Sequence, residues 1–454
     1  MPRLSGSDSL IRTMSRTWFE RPHSKDFWLR DARVPVAFLP AKPAPADSEG
    51  LVRLDLHIAD GRIAAIAPLG SAPDGVDLDG GQVWPSLVDA HVHLDKTQIW
   101  PRAVNPDGTH PGARMAARAD RVTWSEEDIA VRFDFGLACA FAHGTAAMRT
   151  HMDSYWPHAR SGWRVFRKLR DAWAGRISLQ ASSNCPLHLF MGEDGIALAD
   201  EVADAGGVLG MVTTGLGDPD RPMPPNLQDQ LDRFFVLAEE RGLALDLHVD
   251  ETDDTRARML HMVAATALHR NFPRPIQCSH CCSLALQSEE FAAETISLCA
   301  EAGITIVVLP MCNMYLQGRA SGHTPRWRGI TLVHEFHAAG VPVSFASDNC
   351  RDPFFAYGDY DLIEVYREAV RIAHLDHPFG EWPQSVGPIP AAALGLPQHG
   401  SIRVGAQADL ILFRARSMTE LLARPQSDRV VLRNGLVLEA VPPDYRELDR
   451  LLAQ

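Results

Sequence analysis

The chain has 454 residues, 46% of them hydrophobic and 22% charged, with a formal net charge of −13. That composition supports a large buried core and argues against nucleic acid as a partner, because phosphate backbones are held by clustered Lys and Arg. No apolar run approaches the ~18 residues of a membrane span and no secretory apolar stretch precedes Arg33, so no membrane partner is expected.

Residues 1–30 read as a polar N-terminal tail. From Arg33 to Trp84, short apolar stretches (Val36 to Leu39, Val52 to Ile58, Ile63 to Ala67) alternate with Pro, Gly and Asp turns, the pattern of small β-structure. Pro40 to Ala46 reads as a linker or surface loop. Residues 85–395 alternate short β-branched runs with longer helical stretches, as where Leu243 to Val249 follows a helix expected from Leu227 to Glu240. Such alternation implies an α/β fold with a parallel sheet, and a closed (β/α)8 TIM barrel fits the length. Its strands should end near His93, His151, Ser183, Thr214, His248, His280, Pro310 and Asp348, the rim where such barrels carry their active sites. Ala408 to Phe413 and Val430 to Val437 are again β-like, so 31–84 plus 396–445 are expected to form one flanking β-sandwich from both chain ends.

Leu87 to Gln98 is an apolar strand running into His91-Val-His93. Side chains two apart on a strand share a face, so both imidazoles can reach one ion, although two ordinary histidines would read the same way. His248 ends a second apolar strand, with the Glu251 carboxylate three residues on; a rim-solvating acidic loop is the alternative, and it suits Asp253 and Asp254. Imidazole suits zinc or iron, and a non-ligating Glu is what a metal hydrolase needs to move protons. His280 closes Gln277-Cys-Ser-His280, where a neutral imidazole could bond an activated water or simply be buried and hydrogen-bonded. Asp348 ends Val341 to Asp348 as an oxygen ligand or proton acceptor. Together His91, His93, His248 and Asp348 make a three-His, one-Asp set that could leave a position open for water. The eight cysteines are too few for a disulfide framework in a chain this long, so a reduced, cytoplasmic protein is expected. Three crowd at Cys278, Cys281 and Cys282, either part of a zinc site or, as we read them, packed thiols.

These residues resemble the amidohydrolase superfamily, and within it the bacterial cytosine deaminases and the related N-isopropylammelide hydrolases. The resemblance runs from about Val83 to Gly435. It rests on His-Val-His-Leu-Asp-Lys-Thr-Gln at 91–98, Met-Arg-Thr-His-Met-Asp at 148–153, His-Val-Asp-Glu-Thr-Asp-Asp at 248–254 and Ser279-His280. Leu-Gln-Gly-Arg at 316–319, Arg-Gly-Ile-Thr at 328–331, Ser-Asp-Asn at 347–349 and Asp-Pro-Phe at 352–354 extend it. The resemblance implies one divalent zinc or iron ion on His91, His93, His248 and Asp348. Glu251 would carry protons to the substrate ring, His280 would help activate water, and Asp348 would share in proton transfer. Binuclear relatives carry a bridging Lys after the fourth strand; Gly206 to Gly215 has none, so a single ion is expected.

The substrate half departs from the pattern. Leu187 stands where cytosine deaminases carry a Gln, Asn349 where they carry Asp, and Phe354 where they carry Trp. Those three residues and Gln317 are the expected substrate contacts, and Asp95 and Arg149 are expected to support the ligands from behind. Met259 and Met262 read as helix core. The expected activity is hydrolytic deamination of a small cytosine-like heterocycle. Hydrolysis of an alkylamino-triazine or a cyclic amide by the same site is a second reading, and an inactive metal-binding scaffold a third. A homo-oligomer is left open.

Overall fold

The computed structural model describes residues 18–22, 24–41, 44–156, 159–213 and 226–452. Residues 1–17 and 23 of the expected tail, Lys42 and Pro43 of the expected linker, the expected strand end Thr214, and Gly215 lie outside them. The first strand, β1 (Phe27–Pro35), starts inside the stretch expected as tail, where Phe27 and Leu29 turn into a small apolar core. Val36–Phe38, expected as β-structure, is instead a single 3₁₀ turn. Pro35 lacks the N–H that would carry the ladder onward. Four strands follow: β2 (Leu51–Ala59), β3 (Arg62–Pro68), β4 (Val76–Asp77) and β5 (Gln82–Pro85).

The central region alternates strand and helix. β6 (Leu87–Val92) leads to α1 (His110–Asp120) and α2 (Glu126–His143), and β7 (Thr145–Asp153) to α3 (Ala159–Ala172). β8 (Ser178–Asn184) precedes α4 (Glu193–Asp204), and β9 (Leu209–Val212) precedes α5 (Leu227–Arg241). β10 (Leu245–Val249) and α6 (Met259–Arg270) come next, with Met259 buried and Met262 partly buried in the core. β11 (Ile276–His280), α7 (Glu289–Glu301), β12 (Thr305–Val308), α8 (Pro310–Leu316), α9 (Val333–Ala338), β13 (Val343–Phe345) and α10 (Leu362–Ala373) complete the series. Helix ends follow local chemistry: Ser125 caps α2 by accepting from Asp128 N, and Gly144 at φ +100° closes it, a conformation that residues with a Cβ rarely adopt.

All eight strands from β6 to β13 run parallel, as a three-stranded sheet β6-β7-β8 and a five-stranded sheet β9 to β13. Two seams join them. At β8/β9, bridges Ser182↔Val208 and Pro186↔Val212 replace a continuous ladder, and the Ser183 hydroxyl both donates to Gly210 O and accepts from Gly210 N at 2.9 Å. At the other seam Val92 bridges Asp348, whose N–H donates to His91 O at 2.9 Å.

The chain then returns to the first sheet through β14 (Leu410–Phe413), β15 (Val430–Arg433) and β16 (Leu436–Val437). β14 lies antiparallel to β5, so both chain ends share one eight-stranded sheet. Asn434-Gly435, both at positive φ, form the two-residue turn between β15 and β16. Among the described residues no helix is long and apolar enough to cross a membrane.

Candidate active site

Strand alternation builds the site. On β6, Asp89, His91 and, just beyond it, His93 share one face, while Val88 and Ala90 pack outward against Ala391 and Leu394. His91 and His93 are almost wholly buried. The same alternation puts Arg149, His151 and Asp153 on one face of β7, and Asp246 and His248 on one face of β10. On β11, Gln277 and Ser279 turn inward, so alternation alone would send His280 outward with Cys278. His280 instead has φ +71°, which breaks the alternation and returns its ring to the interior. Asp348, after inward-facing Ser347, is turned in the same way at φ +64°. Among the non-glycine residues at positive φ, these two bring a candidate ligand or proton-transfer side chain into the interior by leaving the β region.

The buried donor atoms converge. His91 Nε2 and His93 Nε2 lie 3.5 and 3.2 Å from Asp348 Oδ1, and His248 Nε2 lies 3.3 Å from His93 Nε2. Candidate ligand groups are His91 with His93 and Asp348, His91 with His248 and His280, and His91 with His151 and Asp246. His93 Nδ1 donates to the His151 carbonyl at 3.0 Å, which leaves its Nε2 lone pair facing inward, and His91 Nδ1 meets the Ser279 hydroxyl at 2.8 Å, with its Nε2 on the same side. His91 Nε2, His280 Nε2 and both Asp348 oxygens are buried without a hydrogen-bond partner. Buried polar atoms are rarely left so, and a convergent set of nitrogens and carboxylate oxygens is what a divalent cation satisfies. The residues fit the metal.

Electrostatics agree. Burial, reinforced by the neighbouring imidazoles, holds His91 and His248 well below the usual histidine range, and burial lowers His93 to about 4, so all three imidazoles are neutral, the form that can ligate a cation. Burial raises the Asp348 carboxyl, but the neighbouring His93 and His280 imidazoles outweigh it and hold the group near 2. Burial likewise works against the Glu251 carboxylate, and His280 and His110 more than offset it. Glu251 Oε1 lies 3.4 Å from both His280 Nδ1 and Asn313 Nδ2, and Asn313 Nδ2 is 2.9 Å from His280 Nδ1.

The substrate-side candidates are spread more widely. The Phe354 ring packs under the buried Lys96 ammonium, 5.0 Å from its centroid, and edge-on to His110. The Asn349 amide donates to Asp352 Oδ2 at 2.6 Å. Gln317 is buried at the end of α8, its N–H on Asn313 O, and Leu187 packs into the main apolar core. Asp95 accepts from Asp153 N at 2.7 Å, and Arg149 donates to Asp246 at 3.0 Å.

Sequence reasoning passed over the group behind the cluster. His151 stacks on His91 with centroids 3.8 Å apart, and its Nε2 is 3.0 Å from Asp246, which also accepts from Gln277. Asp89 accepts from Ser347 N and Oγ, and burial raises its carboxyl to about 7. The signal was present, since Asp89 and Asp246 each stand two residues before a candidate ligand. His110, Asn313 and Lys96 had no comparable signal. Cys278, Cys281 and Cys282 are buried free thiols, raised far above the ordinary cysteine value by burial.

The chain matches the model of the Amidohydrolase family over residues 141–440. It is 49% identical over 444 residues to a pterin deaminase of Rhizobium rhizogenes, covering 97% of this chain and 100% of that one. It is 23% identical over 393 residues to the N-isopropylammelide isopropyl amidohydrolase of a Pseudomonas species, covering 85% and 93%. Its fold is similar to the crystal structure of 5-methylcytosine deaminase from Klebsiella pneumoniae, with a TM-score of 0.76 at 21% identity, covering 92% and 98% of the two chains.

Proposed function

We propose, from the premise that this chain belongs to the amidohydrolase family, that it is a metal-dependent hydrolytic deaminase acting on a pterin, a bicyclic heterocycle with an amino group on its pyrimidine ring. The observation that carries the reaction type is the set of unpartnered buried atoms on His91, His280 and Asp348, facing His93 and His248. The observation that favours pterin over the cytosine expected from sequence is the end-to-end 49% identity to a pterin deaminase, together with the departures at Leu187, Asn349 and Phe354.

In this reading His91, His93, His248 and Asp348 would hold one divalent ion, zinc or iron, which would supply the Lewis acidity that brings the pKa of water toward neutrality. Glu251 takes a proton from the attacking water and hands it to the ring nitrogen beside the amino-bearing carbon as the new C–O bond forms, so that negative charge does not build up on the ring. His280, fixed by Asn313, hydrogen-bonds the attacking water and orients it. The second proton passes from the new hydroxyl, through Asp348 or Glu251, to the amino nitrogen. The C–N bond then breaks and ammonia leaves. Both protons come from the one water, so the cycle closes without a cofactor that must be regenerated. Asn349, Phe354 and Gln317 are proposed to line the substrate's side, with Leu187 behind them.

The fold reading is a (β/α)8 barrel over 85–395, closed by the two seams, with 31–84 and 396–445 as its flanking β-sandwich. Eight free, buried cysteines suit the cytoplasmic setting proposed for it. The same site acting on an alkylamino-triazine is the second reading, supported by the N-isopropylammelide hydrolase match. An assay of the zinc- or iron-loaded protein that reads both ammonia and isopropylamine release decides among them. Release from pterin and not from cytosine or N-isopropylammelide is expected. Turnover of N-isopropylammelide with release of isopropylamine would replace pterin with the second reading.

A further inference from the structure

Glu251 is held from two sides, and only one of them belongs to the cluster. Its Oε1 is met by His280 and Asn313 from β11 and α8, whereas its Oε2 lies 3.4 Å from His110 Nε2, at the first residue of α1. The His110 side chain is 28% exposed against 13% for Glu251, so the imidazole is the more outward of the pair. Its position is well fixed. Thr109 caps α1 by accepting from Gly112 N at 3.0 Å, and Pro111 restrains the backbone that follows. The Asn105 amide donates to both Thr109 O and Pro353 O at 3.0 Å, which ties the start of α1 to the segment carrying Phe354. The Phe354 and His110 rings then meet edge-on, their centroids 5.6 Å apart.

We infer that His110 is a positioning residue for the deamination: by donating from Nε2 to Glu251 Oε2 it fixes the rotation of the carboxylate that moves the protons. The inference rests on the reading of Glu251 as the proton carrier. A glutamate carboxylate turns freely about its last torsion, whose preference is broad and two-fold. Proton transfer needs heavy atoms within ~2.6–3.2 Å, a window that such turning leaves easily. Asn313 donates to Oε1 and His280 lies beside the same oxygen, and contact at one oxygen leaves the carboxylate able to pivot about it. His110 supplies the second point.

The test compares His110→Phe, His110→Gln and Glu251→Gln in the zinc-loaded full chain, reading bound zinc, kcat and KM on pterin. His110→Phe should bind the same zinc and keep its KM while kcat falls about 10- to 100-fold, the usual effect of losing a group that orients another. His110→Gln, an amide that can still donate, should recover most of kcat. Parental kcat in His110→Phe with Glu251→Gln inactive would overturn the inference and leave the Glu251 reading standing. So would a loss of zinc in His110→Phe that His110→Gln does not repair, since that marks a structural role. Full turnover by Glu251→Gln would bring down the Glu251 reading itself.

Discussion

The positive φ at His280 and Asp348 shows why single residues of this site differ in how well a sequence exposes them. His91 and His93 follow strict alternation, and the shared face is readable from spacing alone. His280 and Asp348 face the same interior only because the backbone leaves the β region at each, and no spacing rule encodes that. The support behind the ligands follows alternation again, yet Asp246 reads as one more buried strand residue until Arg149, His151 and Gln277 are seen to converge on it. Asp246→Asn removes the charge that Arg149 faces in a fully buried setting and should destabilise the protein by about 3–5 kcal/mol. Because His151 stacks on His91, metal affinity should fall about 10- to 100-fold as well. Urea titrations with and without zinc measure both, and an unchanged zinc affinity would detach His151 from the site.

Elements were legible where their patterning is regular and illegible where a side chain stands in for backbone pairing. The helix expected from Leu227 to Glu240 runs from Leu227 to Arg241, and Gly242 closes it at φ +64°. The β8/β9 seam gives no such sign, because Gly210 is there for clearance. A Cβ at that position would lie 2.1 Å from Ser183 O and 2.7 Å from Asp246 O. Gly210→Ala must therefore push β9 away from its neighbours and should cost about 3 kcal/mol or more, measured as a lowered urea midpoint. α10 is anchored differently. Asp361 caps it by accepting from Ile363 N and is gripped by both Arg429 nitrogens from the loop before β15. Burial raises the Asp361 carboxyl, but Arg429 outweighs it and holds the group near 2, below its ordinary value. A depressed carboxyl stabilises the fold above its unfolded pKa of about 4, and that contribution is lost as pH falls through the folded value. Arg429→Met should therefore lose about 3–5 kcal/mol at neutral pH, and its deficit relative to the parent should narrow as the pH drops from about 4 toward 2. A deficit that is the same across this range would assign the loss to packing instead of charge.

At the scale of the molecule, the order of strands and helices was readable because β-branched runs and helical stretches differ in period. The pairing of the two chain ends was readable from their shared composition. The start of β1 inside the polar N-terminal stretch was not, since its apolar residues are few and widely spaced. The ligands proposed from β6, β10 and the turn after β13 would make ion binding and tertiary structure one equilibrium. Chelation should lower the thermal midpoint reversibly, and restoring zinc to 100 times its Kd should return about 2.7 kcal/mol. Scanning calorimetry with and without chelator would show identical midpoints if the ion did not bridge these strands.

The seam at Val92 and Asp348 also sets an order of events in time. Asp348 bonds His91 through its backbone and meets His91 and His93 through its carboxylate, so one residue both joins the last strand to the first and would complete the proposed ligand set. During synthesis His91 leaves the ribosome more than 250 residues ahead of Asp348. For that interval, tens of seconds at synthesis rates of ~5–20 residues per second, the nascent chain carries unpaired imidazoles and an open sheet edge. Metal capture by the proposed set would thus mark the arrival of the last strand, and a chain halted before β13 would lack Asp348 to complete it.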